Sequence, residues 1–85
     1  MWCITNPLAK SDRLAKDIKD LCTKVNCSSI EEGGSCYEPN QLRSHASVVF
    51  NLYFKDHESK GSACDFGGDA LITFTDPSEG TCTYP

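Results

Sequence analysis

The chemistry open to this 85-residue chain is set first by six cysteines: Cys3, Cys22, Cys27, Cys36, Cys64 and Cys82. No two of them form a CxxC pair, the spacing of a zinc knuckle or a dithiol redox site. An even number scattered along a short chain reads instead as a disulfide framework, which persists only in oxidising surroundings and so predicts an extracellular or secretory location. With all six thiols committed to bridges, none is left to act as a nucleophile beside His45 or His57. Those two histidines lie apart, with no ligand pattern around either, so no metal or other cofactor is expected. Glycoside hydrolysis needs two carboxylates roughly 5–10 Å apart across a cleft. Glu31 and Glu32 are adjacent in a loop and cannot face one another. A catalytic role is therefore not expected.

Twelve acidic against eight basic side chains give a net charge of −4 without a basic cluster, which argues against nucleic acid or an anionic membrane as partner. A neutral ligand suits that balance. No apolar run approaches the roughly 20 residues that span a bilayer, and Met1 abuts Trp2 without a basic and hydrophobic leader. The sequence thus reads as a processed or excised domain, residues 1–85, expected to be monomeric. A core this small contributes little net stability, whereas each bridge across a long loop adds about 2–4 kcal/mol by restricting the unfolded chain.

The elements that must position any site follow from periodicity. Over residues 11–25, Leu14, Ile18, Leu21 and Val25 share one helical face, with Ser11 as N-cap and Asp12 in the first turn. Gly33, Gly34 and Pro39 then mark a loop. A second helix is predicted from Asn40, its N-cap, to about Asp56; Leu42, Ala46, Val49 and Tyr53 form its buried stripe, and Val48, Asn51 and Phe54 point elsewhere. Residues 57–69 read as loop and ALITFT, residues 70–75, as a strand. The turn-rich stretch 76–80 predicts that Thr81–Tyr84 return antiparallel to it as a hairpin, which is marginal alone and must lean on the helices. The fold class is α+β: two helices packed beside a small antiparallel sheet.

Trp2-Cys3, GGSCYEPN at 33–40, HASVVFNLYF at 45–54, CDFGGDA at 64–70 and DPSEGTCTYP at 76–85 occur in the order and cysteine spacing of a known family. By these pieces the chain resembles carbohydrate-binding module family 43, the plant domain found at the end of some β-1,3-glucanases and in plasmodesmal callose-binding proteins. Residue spacing leaves many cysteine pairings open. The resemblance implies Cys3 with Cys64, Cys22 with Cys27, and Cys36 with Cys82. It also implies noncatalytic binding of β-1,3-glucan, such as callose or laminarin-type chains, at the cell wall, the outer face of the plasma membrane or plasmodesmata. Family members often carry a signal peptide and a lipid-anchor signal, so anchoring would belong to a precursor.

A glucan site needs a flat ring for the C–H face of the sugar and fixed polar groups for its hydroxyls. Phe54 is the leading platform, off the core stripe and on the same broad side as Asn51, whose amide both donates and accepts. The competing expectation is that Phe54 packs beneath a loop. Tyr53 offers a hydroxyl at the edge of the buried stripe, Tyr37 a rim beside bridged Cys36, and Asp65 an acceptor, although a solvated loop acid is the ordinary role. Trp2 and Phe66, each close to a cysteine, are expected in the core, and Asn40 serves first as a cap. The rival function is a disulfide-rich protein-binding or inhibitor module using the same exposed rings; a third is a spacer that stabilises an attached enzyme. Asn26-Cys27-Ser28 is a formal glycosylation sequon, expected to stay mostly unmodified because its middle residue enters a bridge.

Overall fold

A computed structural model describes residues 1–85. Strand β1 (Trp2–Thr5) leads into helix α1 (Ser11–Leu21); helix α2 (Leu42–Asp56) and strand β2 (Ala70–Thr73) follow, with short 3₁₀ turns at Ser28–Ile30, Gly61–Ala63 and Phe66–Gly68. The two strands pair antiparallel, Trp2 opposite Thr73 and Thr5 opposite Ala70. Three disulfides join Cys3 to Cys64, Cys22 to Cys27 and Cys36 to Cys82. The α+β class, two helices beside a small antiparallel sheet, is the one expected from the sequence.

Helix α2 is the hub, packing against β1 on one side and α1 on another. Ala46, Val48, Val49, Phe50, Asn51 and Phe54 are all buried. The expectation that Val48, Asn51 and Phe54 lie outside the core is therefore corrected: a helix covered on several sides buries more than one stripe. Its polar row Arg43, Ser47, Asn51 and Lys55, four residues apart, docks along β1. Cys3 N–H donates to Asn51 Oδ1 at 3.0 Å and Thr5 N–H to Ser47 Oγ at 2.9 Å. Arg43 reaches the carbonyls of Asn6 and Ala9, and Lys55 Nζ donates to the Met1 carbonyl at 3.0 Å. The match is metric, since four helical residues rise about 6 Å and two strand residues about 6.6 Å. The edge of β1 left unpaired by β2 is thereby satisfied by side chains.

Four boundaries differ from the sequence reading, one of them the strand expected over 70–75, which ends at Thr73. Helix α1 stops at Leu21, with Cys22 as its C-cap, because the bridge to Cys27 turns the chain back; Val25 lies beyond it. Lys10, not Ser11, occupies the N-cap position of α1, and Gln41, not Asn40, that of α2. The hairpin is also corrected. Strand β2 pairs with β1, and Thr81–Tyr84 contribute only an isolated bridge between Glu79 and Cys82, because Cys82 is anchored to Cys36 while Cys3 is anchored to Cys64 at the approach to β2. In the loop after α1, a Cβ on Gly34 would run into the Ser28 and Ser29 carbonyl oxygens, so only glycine fits there.

Candidate functional site

Tyr53 and His57, four residues apart, stand on the same face of the last turn of α2. Their rings stack with centroids 3.9 Å apart and planes inclined by 23°. His57 Nδ1–H donates to the Tyr53 carbonyl at 2.8 Å. In the neutral imidazole that bond leaves Nε2 as an acceptor on the outside. Phe66 meets Tyr53 edge to face at 5.4 Å and stacks on buried Phe50 at 4.6 Å, so the rings form a ladder from core to surface.

The segment that carries Phe66 is held in an uncommon backbone. Phe66, Gly67 and Gly68 have φ of 52°, 67° and 90° in succession, a left-handed run that costs a phenylalanine about 1 kcal/mol or more. Backbone bonds from Gly68 and Ala70 to the Asp65 carbonyl close it. Here Phe66 departs from its expected place: it is half-buried, with one face on the core and the rest in a surface groove.

That groove, lined by Tyr53, His57, Lys60, Ser62, Ala63, Asp65 and Phe66, encloses about 380 Å³, within the range of small-ligand sites. It combines flat ring surface with hydroxyl, amine, imidazole and carboxylate groups on its rim, the two kinds of surface a hydroxylated neutral ligand needs. Asp65 is its one carboxylate, so the groove lacks the carboxyl pair of a glycosidase.

Of the five residues expected to contact a ligand, the structure brings Tyr53 and Asp65 into this groove. Tyr37 lies elsewhere: its ring tilts against His45 at the start of α2, its hydroxyl accepts from Asn40 Nδ2 at 2.9 Å, and about 12 Å of helix rise separates that turn from Tyr53. Phe54 and Asn51 are fully buried, which overturns their reading as platform and contact. Phe54 packs in the core, and Asn51 spends its amide on Cys3 N–H and the Pro85 carbonyl. Trp2, expected in the core, is half-buried on the outer face of β1. The sequence reading missed His57, Lys60 and Ser62, and placed Phe66 wholly inside. The interval of four from Tyr53 to His57 on a helix was the available signal. It also missed Phe74, which is 80% exposed just after β2.

The X8 domain family matches residues 1–71. A glucan endo-1,3-beta-glucosidase of Triticum aestivum is 40% identical over 98% of this chain, which spans 18% of that protein. The Arabidopsis thaliana plasmodesmata callose-binding protein 5 is 34% identical over the whole chain, spanning 48% of its length. Major pollen allergen Ole e 10 of Olea europaea is 33% identical over 98% of the chain and 69% of its own length. With this match over most of its residues, and a relative one-third identical that the chain covers to 69%, the chain belongs to the X8 domain family, carbohydrate-binding module family 43.

Proposed function

We propose that residues 1–85 act as one noncatalytic domain that binds β-1,3-glucan, seating a glucose ring against Tyr53, His57 and Phe66 while Asp65, Ser62 and Lys60 engage hydroxyls. The observation that carries this reading is the groove's pairing of stacked rings with a single carboxylate. The relatives, a glucan endo-1,3-beta-glucosidase and a callose-binding protein, support the choice of polymer, a 1,3-β-linked glucan or callose. Three bridges and no free cysteine suit an extracellular site such as the cell wall or plasmodesmata. Plasma-membrane attachment would come from a lipid anchor on a precursor. The monomer is the binding unit in this reading.

The test is retention on insoluble β-1,3-glucan with release by laminari-oligosaccharides, alongside amide shifts in labelled protein. Shifts should gather at Tyr53, His57 and residues 62–66. Tyr53→Ala should weaken binding about tenfold, the scale of one ring contact. No retention at all would favour a protein-binding or inhibitor module instead. A second reading draws on exposed Phe74: if Phe74→Ala abolishes retention and Tyr53→Ala does not, the glucan lies along the sheet edge.

A further inference from the structure

The segment that presents Asp65 and Phe66 to the groove is tied to α1 by a small charge cluster built around buried Asp69. Arg13 Nε donates to Asp69 Oδ1 at 2.8 Å, and Arg13 Nη2 to the Gly67 carbonyl at 3.2 Å. On the other side, Asn6 Nδ2 donates to the Gly68 carbonyl and Asn6 N–H to the Asp69 carbonyl. The Asp69 side chain is 5% exposed. Its Oδ2, and Oδ2 of half-buried Asp17 on α1, are both buried with no donor to serve them. Asp17 stands one helical turn beyond Arg13 on the same face of α1, so the guanidinium that binds Asp69 brings both carboxyls to one cluster. Two carboxylates so placed repel when both are ionised; one proton between them turns repulsion into a hydrogen bond.

We infer that Asp17 and Asp69 share a proton and, with Arg13, form a clasp that positions the left-handed Phe66–Gly68 segment, so that ligand binding in the groove weakens when the proton is lost. The inference rests on the groove reading for its ligand and on the cluster alone for its switch. Burial, followed by the hydrogen bond and charge of Asp69, pushes the Asp17 carboxyl up to about 7. The hydrogen bond from Asp17, together with Arg13, holds Asp69 below its ordinary value against the opposing effect of burial. The other charges acting on Asp17 are Arg13 and Lys16 on its own helix, both favouring ionisation, and Lys16 is engaged with Asp20 at 2.8 Å. Below neutral pH the proton stays and Asp17 donates to Asp69. Above it the proton passes to solvent, two negative charges face one Arg13 guanidinium, and the strained run at Phe66 loses its tether.

The decisive measurement on the intact chain is carboxyl NMR of Asp17 from pH 4 to 9, with the amides of Phe66, Gly67 and Gly68 followed in the same samples. The expected result is a midpoint near 7 with those amides moving in step; an Asp17 midpoint near 4 overturns the clasp. Affinity for laminari-oligosaccharides should fall severalfold between pH 6 and 8. Asp17→Asn, which keeps a donor but cannot titrate, should hold the low-pH affinity throughout. A fall that persists in Asp17→Asn overturns the inference. If no oligosaccharide binds at any pH while the carboxyl and amides still titrate together near 7, the clasp stands and the glucan reading fails.

Discussion

Asn51 joins two distant pieces of chain, accepting from Cys3 N–H and donating to the Pro85 carbonyl from a site with no solvent exposure. Asn51→Ala leaves the Cys3 N–H buried without an acceptor, an arrangement that costs about 2 kcal/mol. Denaturant unfolding should show that loss as a lower midpoint at unchanged slope. Phe54→Ala should lose about 3–5 kcal/mol, the cost of a cavity where a fully buried ring stood. At saturating glucan, the fraction of Asn51→Ala that remains folded should bind as the parent does, because Asn51 does not line the groove. The burial of Phe54 answers the competing expectation that it packs inside, whereas the role of Asn51 was not legible from the helical wheel of α2. The wheel ranks faces by polarity, and Asn51 is a polar residue whose partner is a strand edge far away in sequence.

At the scale of elements, helix assignments followed directly from the apolar spacing, as did the start of α1 at residue 11 and the end of α2 at Asp56, while the end of α1 and both N-caps did not. The interruption of α1 at Leu21 is the work of a covalent bond from Cys22 to Cys27, which no propensity encodes. The strand at 70–73 was legible from its branched residues, while its partner was not: the nearest turn signal pointed forward to Thr81–Tyr84, and the true partner is the first strand of the chain. Long-range pairing is chosen by what else is tied down, here Cys3 to Cys64 and the row from Arg43 to Lys55 along β1. Hydrogen exchange separates the two pairings. The amides of Cys3 and Thr5, bound to Asn51 and Ser47, should exchange slowly, whereas Thr81 and Thr83 should exchange fast on either side of Cys82, whose N–H bonds to Glu79. Slow exchange through 81–84 with fast exchange in 2–5 would restore the hairpin.

For the whole molecule, the three bridges differ in what they constrain. Cys3–Cys64 and Cys36–Cys82 close stretches of 61 and 46 residues, and Cys22–Cys27 closes 5. Loop-closure entropy assigns about 4 kcal/mol to each long bridge and about 2 kcal/mol to the short one. For so small a core those two long bridges are comparable with the entire net stability of an ordinary domain. Paired replacement by serine should therefore leave the Cys22/Cys27 variant folded, with a modest drop in unfolding midpoint, while the Cys36/Cys82 variant is largely unfolded near 37 °C. The Cys3/Cys64 variant carries an added consequence, since Ser62, Ala63, Asp65 and Phe66 of the groove flank Cys64 on both sides. At a temperature low enough for it to stay folded, it should lose affinity for β-1,3-glucan as well as stability, whereas the Cys22/Cys27 variant, whose bridge lies away from the groove, keeps its affinity. Calorimetry and oligosaccharide titration on the same three variants read both effects. Equal losses of stability across all three would show that the bridges act through local native contacts instead of through the length of chain they close.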